Sequence, residues 1–113
     1  PAYLEAYRQG RYAEATNTVE ALPAEALTAR MRFYQAVSLL ADGRPSAAIP
    51  ILDALVRQPD IGGLQQPAEW YLALAFLADG QRQPARAALH RIAATPGHYR
   101  AEEAGEMVGR LPR

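Results

Sequence analysis

The chain has 113 residues, with 12 Arg against 12 Asp plus Glu, 24 Ala, and neither Cys nor Lys. That length suits one domain, and 1–113 is expected to fold as a single unit. Zero formal charge gives no general pull towards nucleic acid, and the absence of Cys excludes disulfides, thiolate metal sites and cysteine nucleophiles.

The 24 Ala and 13 Leu stand against only 12 Val, Ile and Thr together. Ala loses no side-chain entropy in a helix, whereas strands draw on β-branched residues in alternating runs. The longest candidate run is Pro50-Ile51-Leu52, so an all-α chain is expected. No apolar run reaches the roughly 18 residues of a membrane span, and direct membrane insertion of this segment is not expected. The chain opens on Pro1 and not on Met, from which an upstream segment is expected.

Gly and Pro divide the chain. Gly10, Gly43 and Gly80 each close one apolar stretch and precede another, and Pro23, Pro45 and Pro84 sit where a first helical turn accepts them. This predicts a helix ending near Gln9, then helices over 11–21, 23–42, 45–57, 67–79, 83–94 and 99–110. Connections are short, so successive helices lie antiparallel. The longer loop is 58–65. Pro50 falls inside the fourth helix, where a mild kink or a free carbonyl is expected and not a break. The third and fifth helices carry apolar residues around much of their circumference, which requires cover on two sides. The fourth and sixth carry narrower stripes. Wide and narrow helices alternate, as in a layered stack.

The chain also repeats itself. Leu40-Ala41-Asp42-Gly43 recurs as Leu77-Ala78-Asp79-Gly80, and the same offset takes Phe33-Tyr34 onto Trp70-Tyr71, Ala36 onto Ala73, Ala48 onto Ala85 and Leu52 onto Leu89. Backwards from Gly43, Gly10 and Ala15 fall at matching places. Small Ala15, Ala36, Ala48, Ala73 and Ala85 permit close helix approach, and Gly10, Gly43 and Gly80 can take the left-handed conformation that turns the chain.

In this spacing the sequence resembles the tetratricopeptide-repeat (TPR) family. The third unit fills the family pattern with Trp70, Leu72-Ala73, Phe76, Gly80, Ala85, Leu89 and Pro96. The second offers Phe33, Ala36, Leu39, Gly43, Ala48, Leu52 and Pro59; the first keeps Gly10, Tyr12, Ala15 and Val19. Trp70 and Phe33 lie one place later than the family aromatic, and Gln35 replaces an apolar residue. The resemblance implies a TPR-like α-α superhelix, a right-handed solenoid of about three helix-turn-helix units (1–22, 23–60, 66–97). A capping helix over 99–110 completes it, since a final unit has no neighbour to cover it. Gly105 and Gly109 weaken that cap, by about 1 kcal/mol each against Ala.

Candidates for chemistry are few. No phosphate-loop, dinucleotide, zinc-protease or nucleophile-elbow motif is present, and Ser38 and Ser46 are the only serines. No catalytic residue, metal ligand or cofactor is expected. His98 and Glu102, four apart, could offer two metal ligands, but a solvated histidine beside a helical ion-pair neighbour is the reading preferred. Arg82, Arg86, Arg91, Arg100 and Arg110 read as a solvated face and not a nucleic-acid surface.

The resemblance implies a protein-interaction module whose first helices line a concave groove holding a partner peptide or protein. Arg30, Phe33, Val37, Trp70 and Leu74 are then the groove candidates, with Tyr34 and Tyr71 beside them. The other reading of these aromatics is that they fill the space between stacked helices. The alternative function is a structural or oligomerisation domain, self-associating through the shortened first helix that carries Tyr3, Leu4 and Tyr7. The Trp70–Ala75 helix and short cap also resemble the soluble end of bacterial membrane-anchored proteins, on the periplasmic or cytoplasmic side.

Overall fold

The computed structural model describes residues 1–59 and 61–112, and every regular element among them is helical. Helix α1 spans Ala2–Arg8, α2 Tyr12–Glu20, α3 Ala29–Ala41, α4 Pro45–Arg57, α5 Gln65–Ala78, α6 Arg82–Ala93 and α7 Ala101–Arg110. Short 3-10 turns lie at Ala24–Ala26 and Gly62–Leu64. Asp60, at the end of the expected second unit and within the 58–65 loop, lies outside the described residues, as does Arg113.

One turn is used three times. Gly10, Gly43 and Gly80 take φ of 75°, 76° and 74°, each one residue past a helix cap. The amide after each glycine donates to the carbonyl five residues back: Arg11 to Ala6 at 2.8 Å, Arg44 to Leu39 at 2.9 Å and Gln81 to Phe76 at 2.9 Å. Each glycine N–H closes the inner bond, to Tyr7, Leu40 and Leu77. This double bond is the Schellman arrangement, which satisfies carbonyls that a helix end leaves open.

The helices stack in chain order, each packing on the next from α1 to α7. Two further contacts join α1 to α3 and α3 to α5, whereas α2, α4 and α6 make none with one another among the described residues. The first helices of successive units therefore form a continuous row, and the second helices lie apart. The stack measures 40 × 28 × 22 Å. Fully buried Ala36, Ala48, Ala73 and Ala85, with Ala15 nearly so, stand where helices meet. Around them Phe33, Val37, Leu39, Leu52, Leu55 and Leu72 make the central core, and Trp70, Ala88, Leu89, Ile92 and Ala104 the C-terminal one.

The structure departs from the sequence expectations at three places. The helix expected from Pro23 starts at Ala29, because Thr28 is its cap: extended at ψ 164°, it accepts from the Met31 N–H at 3.1 Å on its hydroxyl. Pro23 instead opens the first 3-10 turn. Helix α5 begins at Gln65, so Pro67 occupies its first turn and not its first position. The cap helix starts at Ala101, because His98 to Arg100 form a turn that folds back on α5. Pro50 leaves α4 unbroken from Pro45 to Arg57.

Tyr3 and Leu4 of α1 are buried against Val19, Leu27, Met31 and Tyr34. These two side chains are consumed inside the stack and offer no apolar stripe to another copy.

Candidate partner-binding surface

The row α1–α3–α5 gathers tyrosines. Tyr7 sits near the end of α1, Tyr12 opens α2, and Tyr34 and Tyr71 hold equivalent places on α3 and α5. The Tyr7 ring meets Tyr34 at 5.3 Å between centroids and Tyr12 at 5.8 Å, both edge to face. Phe33 joins the next pair, 5.5 Å from Tyr34 and 5.7 Å from Tyr71. Edge-to-face pairs suit the ring quadrupole and hold the side chains in fixed relation.

Burial raises the Tyr7 pKa above its ordinary value of 10.0, and the charges that Tyr71, Tyr12 and Tyr34 would carry raise it further. All four side chains are half-buried. None of their hydroxyls hydrogen-bonds to another described residue. The surface thus presents a set of phenol O–H donors. Exposed Arg30 completes it, with its guanidinium carbon 5.4 Å from the centre of the Tyr34 ring.

The seven groove candidates divide into two groups. Arg30, Phe33, Tyr34, Val37 and Tyr71 come together here, with buried Phe33 and Val37 as the floor. Trp70 and Leu74 belong to the C-terminal cluster with α7 residues Ala104, Met107 and Val108. Trp70 is 6 % exposed and lies under Arg100, whose guanidinium carbon is 5.0 Å from the indole. Tyr71 touches both clusters. Tyr7 and Tyr12 were missed as site residues. The repeat offset carries Tyr34 onto Tyr71 but neither of these, and only packing of α1 on α3 brings them in.

Two expectations for the C-terminal region are corrected. His98 is not solvated: its imidazole is fully enclosed, stacked on Tyr99 at 5.5 Å, with Nδ1 accepting from the Arg100 N–H at 3.1 Å. That acceptor role places its proton on Nε2, which lies 3.2 Å from the Glu69 carboxylate, at ion-pair distance without hydrogen-bond alignment. Glu102 is exposed and elsewhere, because 98 and 102 do not share a helix. Among the described residues no group of three or more His, Asp or Glu is placed to hold a metal ion. Nor are the late arginines one solvated face. Arg100 is bound by both oxygens of Glu103 at 2.6 and 2.7 Å, and Arg86 donates to the carbonyls of Leu111 and Pro112.

No helix among the described residues is long and apolar enough to cross a membrane. Residues 68–96, which run through α5, the Gly80 turn and α6, match the tetratricopeptide repeat family. No curated protein and no solved structure matches the chain. The α5–α6 pair is thus similar to a tetratricopeptide repeat, and the threefold use of its turn makes the chain a helical-repeat domain.

Proposed function

We propose that the domain is a non-catalytic interaction module that captures a segment of a partner protein on the tyrosine surface of α1, α3 and α5. The observation that carries this reading is a run of packed rings, Tyr12, Tyr7, Tyr34, Phe33 and Tyr71, whose phenol hydroxyls bond to no described residue, with exposed Arg30 over the Tyr34 ring. These donors stand half-exposed on rings that edge-to-face packing holds in fixed relation. The packing supports a concave inner side, because the first helices touch one another and the second helices do not. Arg30, Tyr34 and Tyr71 make contact directly, Phe33 and Val37 support them from beneath, and Trp70 and Leu74 hold α5 in place for Tyr71. Catalysis lacks parts on this surface: Ser38 is wholly buried and His98 is enclosed at the far end. Self-association through α1 loses its apolar anchors, since Tyr3 and Leu4 are buried.

An array of immobilised peptides probed with the purified domain tests this. Bound peptides are expected to be lost on Arg30→Glu and retained on Arg110→Glu, both changes being at exposed arginines. Peptides that bind equally to both variants and vanish on Tyr99→Ala would move the surface to the other end of the stack.

A further inference from the structure

The cap helix α7 has no side-chain hydrogen bond from the residue that opens it, Arg100. Its entry is held instead by the His98 ring, whose Nδ1 accepts from the Arg100 N–H at 3.1 Å. Three more bonds depend on the same turn. Ala101 N–H donates to the His98 carbonyl at 3.1 Å, Ala104 N–H to the Arg100 carbonyl at 2.9 Å, and Tyr99 N–H to Gln66 of α5 at 3.0 Å. The imidazole that anchors them is fully enclosed.

An imidazole offers an acceptor only while it is neutral; protonated, both of its nitrogens are donors. The neutral ring already carries its proton on Nε2, 3.2 Å from the Glu69 carboxylate. Acid therefore adds the second proton at Nδ1, directly against the Arg100 N–H. Two donors then meet in a closed site, and the backbone donor is left without its acceptor.

The charges around the ring have both signs. From α5, Glu69 attracts an imidazolium, but its side chain is 38 % exposed and water screens the attraction. From α6, exposed Arg91 borders a small cavity together with Glu69 and opposes it. The Arg100 guanidinium lies 5.2 Å from the centre of the Tyr99 ring on which the imidazole stacks, and Glu103 holds it in place. On α7, Glu102 and Glu106 are exposed. That helix begins three residues beyond His98 and turns the positive end of its dipole towards the turn. The closed turn thus fits the neutral ring and rejects the cation.

We propose that His98 is an acid-sensitive latch on the cap helix: the neutral ring closes the 98–100 turn, and the protonated ring releases α7. Release uncovers Trp70, Leu89 and Ile92, against which Ala104, Met107 and Val108 pack when the latch is closed. One proton is taken up per opening, so acid favours the open state by at most about tenfold per pH unit.

Trp70 is the one tryptophan of the chain, and its fluorescence reports the latch. From about pH 8 to about pH 5, the span in which an ordinary histidine changes charge, its emission is expected to shift to the red. Over the same span the Arg100 and Ala104 amides, corrected for intrinsic exchange, should lose about tenfold protection or more while α4 keeps its own. His98→Asn supplies the main comparison. Its side-chain oxygen can accept from the N–H two residues on, as in an Asx turn, and it does not titrate. This variant is expected to hold α7 closed across the whole span. His90→Asn, at the exposed histidine of α6, should respond like the parent. A parent that shows neither the red shift nor the lost protection overturns the latch. So does an equal acid response in His98→Asn, which would assign the effect to carboxylates, or its disappearance in His90→Asn. A His98→Asn chain already open at about pH 8 also refutes it, because the accepting atom would not be what holds the turn.

Discussion

Aromatic rings and arginines gather at two places in this domain, and their polar groups are treated differently. At the C-terminal end Arg100 lies over Trp70 and Tyr99 and is held by Glu103, while Tyr99 N–H donates to Gln66 and His98 Nδ1 accepts from Arg100 N–H. Arg86 ties down the carbonyls that follow α7. Most donors there have an acceptor within the chain, the buried His98 Nε2 and Arg100 Nε being the exceptions. At the N-terminal half Arg30 lies over Tyr34 in the same cation–ring geometry, yet the hydroxyls of Tyr7, Tyr12, Tyr34 and Tyr71 bond to no described residue. Similar residues thus close the stack at one end and stay available at the other. Composition alone did not separate them; the partners of the polar atoms did.

The largest test of that contrast is Trp70→Ala. Removing an indole buried among Ala73, Leu89, Ile92 and Ala104 is expected to cost about 3–5 kcal/mol, combining lost transfer energy with a cavity. A domain holds only about 5–15 kcal/mol in all, so urea unfolding followed by circular dichroism should show a much lower midpoint. A midpoint near that of the parent would return Trp70 to the surface and remove the distinction between the two ends.

Much of the architecture was legible because its signals are local. The three glycines occupy a backbone conformation that favours Gly, so the turns could be placed from sequence, and the small Ala at matched offsets marked where helices close on one another. Thr28 was equally local, a capping hydroxyl three residues before the Met31 N–H it binds, but Pro23 offered a competing start and obscured it. The rest depended on contacts between distant residues. His98 looked solvated because burial by Glu69 and Tyr99 needs the α6–α7 turn folded back onto α5. Tyr7 and Tyr12 carried no repeat offset, and their place beside Tyr34 follows from how α1 packs on α3. Arg30 was read as a groove residue from the family likeness, and the absence of a nearby acid on α3 was there to be counted.

A smaller test concerns the turns that set the row of first helices. At Gly80 a Cβ would meet nothing within 4 Å, so substitution there is a matter of backbone conformation and not of space. Gly80→Val is expected to destabilise by about 1–2 kcal/mol, the cost of holding a β-branched residue near φ +74°. The same substitution at Gly63, where the backbone is not left-handed, should cost less in parallel thermal melts. Equal losses at the two glycines would mean that the repeated turn contributes nothing special to the stack.

Alkaline pH separates the two ends by another route. The folded Tyr7 holds its proton more tightly than the unfolded chain does, so stability from this source is present below pH 10 and falls as pH rises through the folded pKa. Tyrosinate absorbance should show a late-ionising component that disappears in Tyr7→Phe. If Tyr7→Phe leaves the titration curve unchanged, the Tyr7 hydroxyl is not sheltered in the fold as described.

The smallest expected effect on stability is the most informative about function. Tyr34→Phe and Tyr71→Phe keep every ring contact with Phe33 and Tyr7 and delete only oxygens that bond to nothing described in the fold. Surface changes of this kind fall within about ±0.5 kcal/mol, so the double variant should melt with the parent. Deleting an acceptor at the opposite end is a different matter. His98→Phe keeps a flat ring against Tyr99 but leaves the Arg100 N–H without its acceptor, and an unpaired, partly buried donor costs about 1–3 kcal/mol. Calorimetry on both variants measures the asymmetry directly. Should the tyrosine pair prove as costly as His98, its hydroxyls serve the fold; should it prove silent, they are free to serve a partner.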